Sequence, residues 1–322
     1  MYHYKFILVL FTISLLIACQ ADSTSNAIGQ LEKTVASNSS PESTQELITA
    51  YKNSLKDGPN AVTANAITVG KIASLQLKNK QVAEAVQTLK DGIGKYYAAP
   101  ATAENVWSLA NIYQQQLGDV TTAKTICKIY VEQFPTGKHI ANAKKIIDKD
   151  NLSLTEHIDA IGGKMYNEKT HKLDIKVAGS FIQVCELYAL LKPEDSQSPN
   201  YLHKAGETAR AIRAFPQAIN IYDRIYAKYP SFEKAPQALF LKAFTYDNDL
   251  KDFDKAKALY TEFLKKFPND DFADDTEFLL KNLGKNDEEI IQDFNKKPSP
   301  KTQKPSSTTQ KIDSKTQKIK SD

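Results

Sequence analysis

The sequence predicts an all-α protein, a solenoid of helix–turn–helix units with a disordered N-terminal tether and a disordered C-terminal tail. Three observations predict it. Small and aromatic residues recur at helical spacing in several consecutive segments, and most of these segments close on a proline. Alanines at matching places in neighbouring segments keep a fixed interval: Ala85 and Ala123 lie 38 residues apart, as do Ala218 and Ala256. The two ends of the chain lack that pattern and are polar or apolar throughout.

The start comes first. Lys5 gives a small positive region, and Phe6 to Ile17 forms a twelve-residue apolar run broken only by Thr12 and Ser14. The run is too short to span a bilayer, which takes about 20 residues, and it has the layout of a secretory signal over residues 1–18. The stretch Leu16-Ile17-Ala18-Cys19 resembles the lipobox of bacterial lipoproteins. That resemblance implies cleavage before Cys19 and acylation of its sulfur and new amino group, and several acyl chains together anchor stably. Gln20, rather than Asp, follows the cysteine. The resemblance therefore implies the outer membrane of a Gram-negative envelope, facing the periplasm. Residues 19–40 are small and polar and read as a flexible tether after lipidated Cys19, about 25 Å across as a coil.

Residues 41–148 read as a first helical array. It opens on a capped helix, with Pro41 in the first turn and Ser43 with Glu46 as a capping box. A weaker unit follows, carried by Ala73, Ala85 and Leu89, with no closing proline. A clearer one spans 108–135, carried by Ala110, Tyr113, Gly118, Ala123, Cys127, Tyr130 and Pro135. Residues 149–174 form an irregular connector or a degenerate repeat, since Gly162-Gly163 and the polar run NEKTHKLD interrupt the periodicity. They could hinge the first array against a second one over 175–295. There Phe181, Cys185, Tyr188 and Pro193 mark a second helix whose small residue has become Phe. The clearest units are 202–230, with Leu202, Gly206, Ala209, Ala218, Tyr222, Ile225 and Pro230, and 239–268, with Ala243, Tyr246, Ala256, Tyr260, Phe263 and Pro268. The 108–135 and 239–268 units each carry one extra residue in the interhelical turn. A last helix begins in NDDFADDTEFLLKNLG, its acidic first turn suiting the helix dipole and Gly284 ending it.

These units resemble the tetratricopeptide repeat. Gly206 matches its small residue in the first helix, Ala218 the small residue in the second, Tyr222 the aromatic four later, and Pro230 the stop. The YP and FP endings and the acidic helix start resemble the subgroup found in bacterial envelope proteins. That subgroup includes the tetratricopeptide lipoprotein of the β-barrel assembly machine and the periplasmic cell-division coordinator linked to Tol–Pal. The basic tail and the irregular middle depart from it.

Charge adds little. The tail, 296–322, has eight Lys, two Asp and no aromatic residue, and reads as disordered. Its charge of +6 exceeds the +4 of the whole chain, so the remainder is mildly acidic. The tail reads as a solvated spacer, with contact to anionic lipid or lipopolysaccharide as the alternative; without aromatic residues for base stacking, nucleic acid is not an expected partner. Cys127 and Cys185 lie in apolar helical patterns and read as buried free thiols, a disulfide between them being the alternative. The five histidines are scattered, and no H-E-x-x-H, G-x-S-x-G or phosphate-loop motif is present. The acidic stretch 247–254 reads as a solvated turn, because Lys251 sits where a calcium loop needs oxygen. No catalytic residue, metal site or cofactor is expected.

The expectation is therefore binding. In tetratricopeptide arrays the first helices line a concave groove. The resemblance places there Trp107, Asn111 and Gln114 from one unit, His203, Glu207 and Arg210 from another, and Phe240, Phe244 and Asp247 from a third. For Trp107, Phe240 and Phe244, packing between helices is an equal alternative. Arg210, Arg213 and Arg224 are the only arginines, and their clustering points to carboxylate pairing. The expected function is a lipid-anchored, non-catalytic adaptor for protein partners, β-barrel assembly or Tol–Pal components among them. The alternatives are a lipoprotein that captures a peptide or glycan, and, less favoured, a cell-wall enzyme.

Overall fold

The computed structural model describes residues 25–147, 151–167, 169 and 172–296. The signal, Cys19 and residues 297–322 of the basic tail lie outside these residues.

Helices follow one another along the whole described chain. They are α1 (25–37), α2 (Pro41–Ser54), α3 (Val62–Lys78), α4 (Val82–Lys95), α5 (Thr102–Asn111), α6 (Val120–Gln133), α7 (Ile140–Ile147), α8 (Leu154–Gly163), α9 (Ile175–Leu191), α10 (Ser198–Ala211), α11 (Phe215–Lys228), α12 (Ala235–Phe244), α13 (Phe253–Lys266), α14 (Ala273–Lys281) and α15 (Asp287–Lys296). The exception is a two-residue antiparallel hairpin, β1 (Tyr166–Asn167) and β2 (Lys172–Leu173), between α8 and α9.

The chemistry of the helix ends sets the unit. The second helices α6 and α13 start on capping side chains, where Asp119 accepts from the Thr122 N–H and Asp252 from the Lys255 N–H, while α4 and α11 have no side-chain cap. Three second helices, α6, α11 and α13, stop at an aromatic residue followed by proline. Phe134, Tyr229 and Phe267 each cap a helix at φ near −130°, and Pro135, Pro230 and Pro268 then supply no N–H to continue it. First helices end on a left-handed residue: Lys80, Gly118, Arg213 and Lys251 have φ of 60°, 65°, 63° and 56°. At Lys80 and Arg213 the helix closes tightly, with Gln81 N–H on Gln76 C=O and Ala214 N–H on Ala209 C=O, both at 2.8 Å. At Gly118 and Lys251 the last turn is π-helical, over Ile112–Gln116 and Thr245–Asp249. The extra residue seen in the sequence at these two turns is thus taken up inside the first helix, by a wider turn.

Packing follows the small-against-large logic. A Cβ on Gly206 would sit 2.5 Å from Tyr222 Cε1, and one on Gly162 would sit 2.9 Å from Phe181 Cε2. Glycine lets each ring lie against the helix backbone. One continuous core runs from Ala66 on α3 to Ala238 on α12, with smaller clusters under α1–α3 and α12–α14. The middle of the chain belongs to that core: α8 contributes Leu154, Ile158 and Ile161. Helix α9, with nine buried residues, packs on α8 and α10 and also on α4 and α6. Tyr97 Oη donates to Leu191 C=O at 2.7 Å, and Lys192 pairs with Glu132 at 3.1 Å. The segment read as an irregular connector or a degenerate repeat holds the helix α8 and a hairpin, and α9 packs on both α8 before it and α10 after it.

Two local expectations change. Residues 25–37, read as part of a coil, form α1; Val35 is buried, Ile28 and Leu31 pack beside it, and Tyr51 Oη and Lys71 Nζ both donate to Glu32. The apolar residues Ile28, Leu31 and Val35 recur at spacings of three and four, a stripe too short to stand out among polar neighbours. The capping box of α2 is Ser40 with Ser43, not Ser43 with Glu46. Pro41 decides this: it occupies the first helical position, so the cap must be the residue before it. Beyond Gly284, α15 adds a further helix.

Candidate functional site

The nine residues assigned to the first-helix face occupy three matching positions in three units. The structure gives each position a distinct job. Trp107, His203 and Phe240 occupy the first and point toward the loop that leads to the next unit. Trp107 stacks on His139 at 4.7 Å and 10°, His203 meets Phe232 edge-on at 6.5 Å, and Phe240 packs on Phe272 at 4.8 Å. These are joints between units, and His203 and Phe240 are buried. The second position is more open: Asn111 and Phe244 are half-buried and Glu207 is exposed. The His203 Nδ1–H group donates to Glu207 at 3.2 Å and holds that carboxyl below its ordinary range.

The third position is polar and inward. Gln114 Oε1 is buried without a partner. Asp247 accepts from Tyr260 Oη at 3.1 Å, and burial pushes its carboxyl up. Arg210 crosses to the next unit, where Nε donates to Asp249 at 2.6 Å and the guanidinium lies 4.7 Å from the Phe244 ring. Thus Arg210, Phe244 and Asp249 form one inter-unit contact, placed by the π-helical turn. The other arginines are also used within the fold: Arg224 pairs with Glu186 at 2.9 Å, and Arg213 lies over Phe215. Cys127 and Cys185 are free and buried, and burial pushes both thiols up, Cys127 to about 12.

A model of the tetratricopeptide repeat matches residues 106–137 and 237–270. The chain carries tetratricopeptide repeats. The two matched segments are the ones with the π-helical turn, α5–α6 and α12–α13. Among solved structures, the TPR2AB domain of yeast Sti1 in its complex with an HSP90 peptide is similar at a TM-score of 0.31 and 15% identity, over 82% of this chain and 98% of that one. A search of curated proteins found no match to this sequence.

Among the described residues, recesses open on the first-helix face of the repeats, and two of them bear on the expected residues. One, of about 300 Å³, lies between α3 and α5 and is lined by Gly70, Ser74, Leu77, Ser108, Asn111 and Gln115. Its small side chains let a ligand approach the helices, and its hydroxyls and amides can pair with a peptide backbone. The other, of about 320 Å³, lies between α8 and α10 over Phe181 and is bordered by Asp159, Lys204 and Glu207. Lys204 and Asp159 pair across it at 3.1 Å. Of the nine expected residues, only Asn111 and Glu207 line these recesses. Ser74, Ser108 and Gln115 escaped the sequence reading; the clue was the run of small residues Gly70, Ala73 and Ser74 on one face of α3. Among the described residues no group of His, Cys, Asp and Glu gathers as a metal site, and no helix is long and apolar enough to cross a membrane.

Proposed function

We propose that the chain is a non-catalytic adaptor that holds protein partners along the first-helix face of its tetratricopeptide array. The observation that carries this is the recess between α3 and α5, neutral, rich in hydroxyl and amide groups, and walled by Gly70 and Ser74. Such a surface favours an extended peptide segment, whose backbone groups it can pair while Leu77 and Ile112 receive an apolar side chain. The repeats themselves support a protein-interaction scaffold.

The finer reading rests on the sequence. Leu16-Ile17-Ala18-Cys19 supports lipidation at Cys19 and attachment to the outer membrane, facing the periplasm. The resemblance to envelope proteins supports a role in outer-membrane protein assembly or envelope maintenance, with β-barrel assembly or Tol–Pal components as partners. Anchoring confines both parties to one surface, so modest affinities suffice.

Crosslinking in living cells, followed by capture of the tagged full-length chain, tests both levels. The expected result is a defined set of envelope proteins, reduced by Asn111→Arg and lost with Cys19→Ala. Partners recovered equally with Cys19→Ala would remove the anchored reading. Partners unaffected by Asn111→Arg would remove the α3–α5 face.

A further inference from the structure

A groove of about 490 Å³ lies between α1 and α3, with α2 beneath it. Its floor is apolar. Val35, Leu47, Tyr51 and Leu75 line it and keep exposures of 6%, 3%, 6% and 7%. Ala36 on the α1 rim and Ser74 on the α3 rim are small and exposed, so the floor can be reached from solvent. Gly70 and Ser74 also border the α3–α5 recess, so the two sites share a ridge of α3.

The α3 rim is polar in a defined pattern. Lys71, Ser74 and Lys78 follow at intervals of three and four, which sets them on one face of the helix. All three are exposed. The opposite rim, on α1, carries Glu32. Tyr51 Oη and Lys71 Nζ both donate to it, Lys71 at 3.0 Å, so its charge is met within the groove. Lys78 stands seven residues beyond Lys71, about 10 Å along the helix. Glu32 is the one carboxylate among the described residues that line the groove, and it belongs to the Lys71 end. The groove therefore joins an apolar floor to an ammonium and a hydroxyl at the rim.

An occupant must suit both. A peptide would lay backbone N–H and C=O groups on a floor whose polar group, the Tyr51 hydroxyl, is already engaged. Backbone groups left unpaired there are costly. A hydrocarbon chain carries none and gains from leaving water. The ammonium and hydroxyl call for an anion at its end.

We propose that this groove binds a medium-chain fatty acid. Its hydrocarbon lies on Val35, Leu47 and Leu75, and its carboxylate accepts from Ser74 Oγ and Lys78 Nζ. The size fits. Eight carbons extend about 9 Å at about 1.25 Å per bond, within the run from Lys71 to Lys78. The volume is that of a small-ligand site. Folding of α1 completes the site, since Val35 and Ala36 are its contribution.

Titration calorimetry on the full chain carrying Cys19→Ala tests this, with octanoate as probe. The expected result is one binding event per chain. It weakens at least fivefold with octanamide, which keeps the chain and shape but lacks the charge, and at least tenfold with Lys78→Glu. Ala36→Trp, which fills the groove from its exposed α1 rim, abolishes it. Lys90→Glu, the same charge change on α4 outside the groove, leaves it unchanged. Circular dichroism confirms that each variant is folded. No binding by the parent chain at millimolar octanoate would overturn the proposal. So would equal binding of octanamide, or parent-like binding by either groove variant.

Discussion

Tyr222 is fully buried against Gly206, and its hydroxyl has no hydrogen-bond partner. Two opposite outcomes follow from that one contact. Gly206→Ala forces a methyl into the ring and destabilises by about 2–3 kcal/mol. Tyr222→Phe removes an unpaired polar atom and is neutral or stabilising by up to about 1 kcal/mol. Urea denaturation of the two variants checks both. Burial likewise makes the thiols inert. With Cys127 at about 12 and Cys185 also raised, a colorimetric thiol reagent at pH 8 reads almost no reactivity in the native Cys19→Ala chain and two equivalents in urea. A disulfide in the purified protein would give none in either state. At this scale the sequence was informative where a residue type has few uses. Gly206, Ala218 and the arginines went where their chemistry required. Trp107 and Phe240 could not be placed from sequence, because an aromatic side chain serves a joint or a groove equally well and only the position of the following loop decides.

The helices show the same division between what is encoded locally and what is not. Proline stops were legible, because each acts on its own turn of helix, whereas the aspartate caps at Asp119 and Asp252 went unread. Helix α1 also went unread, because it depends on α2 and α3 to cover its short apolar stripe. Its polar tie is Glu32, whose carboxyl is held low first by the Tyr51 hydroxyl and then by Lys71. A carboxyl with a lowered folded pKa adds stability above its unfolded value, and that stability is lost as pH falls through the folded value. Hydrogen exchange should therefore show α1 protected at pH 7 and released below about pH 4, under the ordinary glutamate value of about 4.3. Glu32→Gln should give α1 at pH 7 the faster exchange that the parent shows in acid. A second tie is the Tyr97 hydroxyl on Leu191, which satisfies a carbonyl at the end of α9. Tyr97→Phe should cost about 1 kcal/mol in urea denaturation.

Across the whole molecule, the array was readable as an array, since its period repeats. For its middle the sequence left a connector and a degenerate repeat both open. Gly162-Gly163 and the polar run looked like a break, yet Gly162 admits the Phe181 ring, and α9 reaches back to α4 and α6. In a linear array stability is shared between neighbours, so the ends open first. Native-state exchange should rank α9 and α10 slowest and α1, α2 and α14 fastest. A cooperative loss of α8 and α9 ahead of the ends would contradict the continuous core.

The folding of residues 25–37 into α1 also shortens the leash. On the proposed anchor, only six steps along the chain separate Cys19 from the first helical residue, at most about 20 Å when fully drawn out. That is less than the thickness of a bilayer core. The array would then ride close to the lipid headgroups, and partners would have to meet it within a shallow layer over the membrane. Lengthening the chain between Cys19 and α1 would widen that layer and thin out the encounters without altering a single contact.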